Sequence, residues 1–178
     1  NEILAHSYSQ LYNIPSTGVR FFTVYGPWGR PDMAPMIFTR SILKKEPINV
    51  FNFGKMQRDF TYIDDIVETL LRLLDKPATP NKNFDFQNPD QSTSFAPHRI
   101  FNIGNSKPIE LLNFIEELEN ILGEKATFNM LPMQKGDVEI TCANTEELKK
   151  WIGYNPSTLL KDGIKYFVNW YLEFYGYK

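Results

Sequence analysis

Apolar residues recur along this chain with two different periods, and the changes of period mark out its elements. Ile3, Leu4, Tyr8, Leu11 and Tyr12 stand at helical spacing and predict a helix from Asn1 to Tyr12, which Asn13-Ile14-Pro15 stops. The run Val19 to Val24, rich in β-branched and aromatic side chains, predicts a buried strand. Met36 to Lys44 reads as a second helix and Ile48 to Phe53 as a second strand. Arg58 to Ile63 is an extended entry to a helix carrying Ile66, Val67, Leu70, Leu71 and Leu74 on one face, with Asp64 or Asp65 as its N-cap and Pro77 as its end.

Residues 78–99 have no period and are rich in Pro, Asn, Gln, Ser and Asp. A loop longer than about 12–15 residues in a compact domain is usually functional or disordered. Arg99 to Ile103 predicts a strand, and Leu111, Leu112, Ile115, Leu118 and Leu122 predict a helix closed by Gly123. Ala126 to Leu131 is a candidate strand, and Asn144-x-x-Glu147 reads as a capping box opening a helix to Ile152. A last amphipathic helix runs from about Leu159 to Tyr175. Strands alternating with helices predict an α/β fold with parallel pairings. The glycine fingerprint G-x-G-x-x-G of a dinucleotide-binding first strand is absent, so these elements resemble the second half of such a fold.

Composition narrows the functions. At 178 residues, with 42% hydrophobic and 15% aromatic side chains, the chain can bury a sizeable core. A formal net charge of -2 and no basic run give no reason to expect nucleic acid or a membrane surface. The single cysteine, Cys142, excludes an intrachain disulfide framework and fits a reducing cytoplasm. No apolar stretch approaches the roughly 20 residues of a membrane helix, and no signal peptide is evident. His6 and His98 lack ligand-like spacing, so no metal is expected. Asn1 opens in mid-helix with no methionine before it, which raises the expectation of a piece of something longer.

The strand ending at Val24 empties into Tyr25-Gly26-Pro27-Trp28-Gly29-Arg30-Pro31-Asp32. Ligands of open α/β sheets sit beyond the carboxyl ends of strands. Thr23 and Arg30 are delivered to that position across a Gly/Pro turn, a hydroxyl and a guanidinium fit to hold a carboxylate or phosphate. The alternative is a strand-terminal threonine and a solvated arginine. Arg58 could reach a diphosphate, or could pair locally with Asp59 or Asp64. Asp64-Asp65 reads as capping and dipole residues. Gln134-Lys-Gly-Asp137 could bond ribose hydroxyls or be an exposed turn. None of the nine tyrosines has a lysine four residues later, and no nucleophile–histidine–acid arrangement stands out.

Taken in order, four stretches resemble the extended short-chain dehydrogenase/reductases that epimerise nucleotide sugars, and among them UDP-glucuronate 4-epimerases. They are Thr17-Gly-Val-Arg-Phe-Phe-Thr-Val-Tyr-Gly-Pro-Trp-Gly-Arg-Pro-Asp-Met-Ala34, Gly54-Lys-Met-Gln-Arg-Asp-Phe-Thr-Tyr-Ile-Asp-Asp-Ile66, Ser94-Phe-Ala-Pro-His-Arg-Ile-Phe-Asn-Ile-Gly-Asn105 and Gln134-Lys-Gly-Asp-Val138. Asn1-Glu2 resembles the end of the family's Tyr-x-x-x-Lys-x-x-Asn-Glu pattern, so the catalytic pair is expected upstream of Asn1 and none in this chain.

The resemblance implies the C-terminal half of a Rossmann-type fold. Residues 1–33 would be the last helix and strand of the NAD-binding domain, and 34–178 the small nucleotide-sugar-binding domain. About 58–77 and 99–104 would pack back on the Rossmann sheet. It implies NAD, held mainly by the other half, which oxidises and re-reduces C4 of a UDP-sugar and so interconverts UDP-glucuronate and UDP-galacturonate through a 4-keto sugar. Thr23 and Arg30 would hold the sugar carboxylate, Arg58 the diphosphate, Asn49 and Phe51 the uracil, and Gln134 and Asp137 the ribose and phosphate. Phe21 would lie near the nicotinamide, and the first helix would form a homodimer. The implied role is polysaccharide biosynthesis in the cytoplasm, with this piece inactive alone. The alternatives are an epimerase or decarboxylase of another UDP-sugar, and a non-catalytic binding or dimerisation module.

Overall fold

The computed structural model describes residues 1–177, so the expected unit 34–178 ends one residue outside the described ones. Seven strands and six α-helices alternate: α1 (Glu2–Tyr12), β1 (Ser16–Phe21), β2 (Thr23–Tyr25), α2 (Ala34–Lys44), β3 (Ile48–Val50), β4 (Gln57–Tyr62), α3 (Ile63–Leu74), β5 (His98–Ile103), β6 (Pro108–Glu110), α4 (Leu111–Leu122), β7 (Phe128–Met130), α5 (Glu146–Ile152) and α6 (Leu160–Phe174). The pairs β1–β5, β2–β4 and β3–β7 are parallel, and β4–β6 is antiparallel. The α/β expectation with parallel pairing holds.

The strand expected at 19–24 begins earlier and is divided. In β1, Ser16 stands opposite His98 and Phe21 opposite Ile103, whereas in β2, Thr23 stands opposite Phe60. The cause lies at the end of β5. There the chain turns at Gly104 toward Asp59, whose carboxylate accepts backbone N–H bonds from Asn105 at 2.8 Å and Ser106 at 3.0 Å. A Cβ at Gly104 would stand 2.5 Å from the Ala143 Cβ and 2.8 Å from Asp59 Oδ2, so only glycine lets the turn approach. With β5 gone, the continuation of β1 takes β4 as its partner.

Two apolar clusters form the core. The larger gathers α2, α4 and α6 on β2, β3 and β4. Phe114 stacks on Phe60 with centroids 4.3 Å apart, and Ile42, Leu118, Ile164 and Phe167 are buried around them. The smaller joins Ile66 and Leu73 of α3 to Phe101, Ile103 and Leu148.

Several local expectations are corrected. The second strand ends at Val50, not Phe53. Tyr62, not Asp64 or Asp65, occupies the N-cap of α3. Asp65 is instead buried in the first turn, where its carboxylate accepts bonds from the Tyr154 hydroxyl at 2.8 Å and the Ser157 and Thr158 amides at 3.1 and 2.9 Å. The capping box at 144–147 does not form. Asn144 Oδ1 accepts the Glu146 amide at 3.1 Å, while Glu147 pairs with Lys150. Val67, Leu71 and Leu74 of α3, and Ile3, Leu4, Tyr8, Leu11 and Tyr12 of α1, face outward. α1 is buried at Ser9 alone and α3 at Asp65, Ile66, Thr69 and Leu73, which leaves these apolar side chains bare.

Residues 78–97 form an ordered loop. Asn81, Asp85 and Asp90 each accept the amide two residues on, and Phe84, Phe86 and Phe95 pack together. Among the described residues no helix is long and apolar enough to cross a membrane, and no cluster of metal-ligating side chains occurs.

Candidate functional site

Between the start of α2, the edge of β3 and the segment 134–137 lies a cleft of about 590 Å3. That is within the range of small-molecule sites, about 300–1,000 Å3. Thr23, Asn49, Phe51, Arg58, Gln134 and Asp137 all line it, together with Asp32, Met33, Ile37, Met56 and Leu111. Six of the residues singled out from sequence therefore meet, from four separate segments.

Arg58 stands on β4, and its side chain is only 17% exposed. Its partner is Asp137, with Nη2 donating to Oδ1 at 2.8 Å, while Nη1 donates to the Gln57 and Glu139 carbonyls at 2.9 and 3.2 Å. The local pairing with Asp59 or Asp64 does not occur, because β4 alternation turns Asp59 to the opposite, fully buried side. Asp137 Oδ1 also accepts the Val138 amide at 2.8 Å, and Oδ2 has no partner among the described residues.

Asn49 offers backbone groups. Ile48 donates its N–H to Thr127 at 2.8 Å, and Val50 accepts from Leu131 at 2.9 Å. Successive backbone groups of a strand face opposite edges, so the Asn49 N–H and C=O face away from β7, on the cleft side. Its side chain is tied to Asn129 at 2.9 Å. Next comes a tight reversal in which Asn52, Phe53 and Gly54 all have positive φ, at 49°, 51° and 82°. Non-glycine residues held there cost about 1–3 kcal/mol each and persist where surrounding structure over-determines them. The Phe53 N–H bond to Leu131 at 3.1 Å and the Lys55 N–H bond to Asn52 at 2.9 Å do so here. Phe51 stays on the cleft wall, and Phe53 turns out at 57% exposure.

The other two predicted residues lie outside the lining. Arg30 is turned onto Asp32, which does line the cleft; Nε donates to Oδ1 at 3.1 Å and Nη2 to Oδ2 at 2.5 Å. The hydrogen bond from Arg30 holds the Asp32 carboxyl below its usual range, and Asp32 in turn raises the guanidinium. Phe21 sits half-exposed at the carboxyl end of β1. Sequence reading missed Asp32, although its place two residues from Arg30 in the same turn was a usable signal. Met56 and Leu111, joined by a backbone bond at 2.9 Å, carried none.

Comparison with known proteins follows the same lines. The profile of the NAD dependent epimerase/dehydratase family matches residues 1–112. The chain is 53% identical over 175 residues to Protein CapI of Staphylococcus aureus, covering 98% of this chain and 52% of that protein. It is 45% identical over 175 residues to a probable UDP-glucuronate 4-epimerase of Rhizobium meliloti, covering 98% and 51%. The crystal structure of UDP-glucuronic acid 4-epimerase from Bacillus cereus, in complex with UDP-glucuronic acid and NAD, superposes with a TM-score of 0.80 at 30% identity. That match covers 98% of this chain and 50% of the other. The chain spans about half the length of the curated relatives it matches. On the extent of the profile match, the chain belongs to the NAD-dependent epimerase/dehydratase family.

Proposed function

We propose that this chain is the substrate-binding part of an NAD-dependent nucleotide-sugar 4-epimerase that interconverts UDP-glucuronate and UDP-galacturonate. One observation carries the reading: Thr23, Asn49, Phe51, Arg58, Gln134 and Asp137 share a single cleft. Their chemistry matches the parts of such a ligand. The free N–H and C=O of Asn49 suit a uracil edge, with Phe51 as an apolar wall. Arg58, pre-set by Asp137 and two carbonyls, suits a diphosphate, and the unpartnered Asp137 Oδ2 with Gln134 suits ribose hydroxyls. Thr23 on the cleft wall suits the sugar, and Arg30, bonded to the cleft residue Asp32, suits its carboxylate.

The residues present fit NAD only at its nicotinamide end, where Phe21 would flank it, because the 178 residues contain no G-x-G-x-x-G cradle. When bound, NAD supplies the hydride acceptor and donor for C4 of the sugar. This chain's part is to orient the sugar and exclude water around it. In this reading, residues 1–33 belong to the cofactor domain and 34–178 to the nucleotide-sugar-binding domain, with about 58–77 and 99–104 packing back on the Rossmann sheet. The bare groove lined by Val19, Leu70 and Leu74 packs against the remainder of the cofactor domain. The exposed stripe of α1 forms a homodimer.

The test uses the intact gene product with NAD and UDP-glucuronate, followed by proton NMR of the anomeric region. UDP-galacturonate is expected to appear, and residues 1–178 alone should give none. Turnover of UDP-glucose with none of UDP-glucuronate would overturn the acidic-sugar assignment.

A further inference from the structure

The Arg30–Asp32 pair is side-on. A guanidinium presents two bidentate edges. Asp32 occupies the Nε/Nη2 edge, and the Nη1/Nη2 edge has no partner among the described residues. Asp32 lines the cleft and Arg30 does not, so the guanidinium is held at the rim through that carboxylate.

The turn beneath the pair is anchored at several points. Gly26 has φ 144°, and a Cβ there would meet Ile63 Cγ2 at 2.4 Å. Trp28, at φ 61°, packs on Trp170 and Phe174 of α6 with centroids 5.4 and 4.9 Å apart. The Met33 N–H bonds the Arg30 carbonyl at 3.1 Å. With the backbone anchored, what remains to direct the long, 73%-exposed Arg30 side chain is Asp32.

We propose that Asp32 is a positioning residue that clamps Arg30 side-on and presents its free edge to the carboxylate of an acidic sugar nucleotide. The proposal rests on the nucleotide-sugar reading above and deepens it into a basis for specificity. An acid on the cleft wall repels the sugar carboxylate unless Arg30 bridges the two. A neutral sugar has nothing to bridge and draws no benefit from the clamp.

Isothermal titration of the intact, NAD-loaded gene product with UDP, UDP-glucose and UDP-glucuronate tests this, using Asp32→Ala, Asp32→Glu, Arg30→Ala and the double variant. Exposed ion pairs are worth little, so Asp32→Ala is expected to weaken UDP-glucuronate by about fivefold, with UDP and UDP-glucose within about twofold. Asp32→Glu, whose carboxylate still reaches the guanidinium, should recover part of the loss. In the Arg30→Ala background the Asp32 change should weaken UDP-glucuronate no further, and should leave it equal or tighter because an unbridged acid is removed. Unchanged or tighter UDP-glucuronate binding in Asp32→Ala, or equal weakening with and without Arg30, would overturn the proposal. If the unaltered protein binds none of the three nucleotides, the nucleotide-sugar reading falls and this one with it.

Discussion

Asp59 has no exposed surface, yet its carboxylate joins three parts of the chain, so Asp59→Asn isolates what a buried charge contributes beyond shape. Oδ1 accepts the Asn105 amide at 2.8 Å, and Oδ2 accepts those of Ser106 at 3.0 Å and Ala143 at 2.8 Å. Asparagine keeps the volume but has only one acceptor. Its best orientation puts that oxygen at the Oδ2 position and retains two bonds, now neutral. The amide nitrogen then faces the Asn105 N–H, donor against donor. Asn105 keeps a second acceptor, the Thr61 hydroxyl at 3.1 Å, which softens the loss. Weakening two charge-assisted bonds costs roughly 0.5–1 kcal/mol each, and the lost bond with its mismatch about 1–2 kcal/mol. The sum is roughly 2–4 kcal/mol, out of a stability on the order of 5–15 kcal/mol.

Urea unfolding, followed by the fluorescence of the three tryptophans, reads this directly. With a slope of about 2 kcal/mol/M, the midpoint should fall by about 1–2 M at unchanged slope. A midpoint shift below about 0.25 M would refute the claim that this carboxylate holds β4, the turn after β5 and the 141–143 segment together.

Two further outcomes are expected. Burial, aided by the neighbouring His6 imidazole, holds His98 below its usual value. The unfolded chain therefore takes up the proton first as pH falls, and stability present above about pH 6.5 is lost as pH drops through the folded value. His98→Asn preserves the hydrogen-bonding position toward Ser16 and removes the titration, so the melting temperature of the unaltered protein relative to this variant should fall from pH 7 to pH 5. A pH-independent difference would contradict it. Arg58→Ala should weaken UDP binding roughly 10- to 100-fold by removing the charge-assisted bonds, with Arg58→Lys recovering only part because ammonium lacks the fork. Equal UDP affinity for Arg58→Ala and the unaltered protein, by titration calorimetry, would remove Arg58 from the diphosphate.

The legible features were those written in consecutive residues. The helix over 111–122 with its terminal Gly123, the α/β alternation and the Gly/Pro turn after Tyr25 each follow from local period or local backbone demand. Six of the eight residues carried over by resemblance meet in one cleft, while Arg30 and Phe21 do not line it. Features that depend on a partner far along the chain are not legible in this way. Two acids before an apolar helix predict Asp64 or Asp65 as its cap, but Tyr154, Ser157 and Thr158, some ninety residues on, claim the Asp65 carboxylate. For Arg58 the sequence leaves a diphosphate contact and a local pair with Asp59 or Asp64 both open, and its actual partner, Asp137, approaches from a different segment. The apolar stripe of α1 is real, but a helical period says only that a face is apolar and not which way it points.

The sequence alone thus determined the kind and order of most elements, the exclusion of an intrachain disulfide among these 178 residues and the family pattern. Those depend on side-chain spacing, turn chemistry and residue identity, all of which are local. Only the tertiary structure decided that one run would become two strands in two sheets, that Asp59 and Asp65 would be buried hubs, and that Arg30 would lie on Asp32 rather than in the cleft. Each is settled by competition among distant donors and acceptors for burial and hydrogen bonds, and no single stretch of chain records that competition.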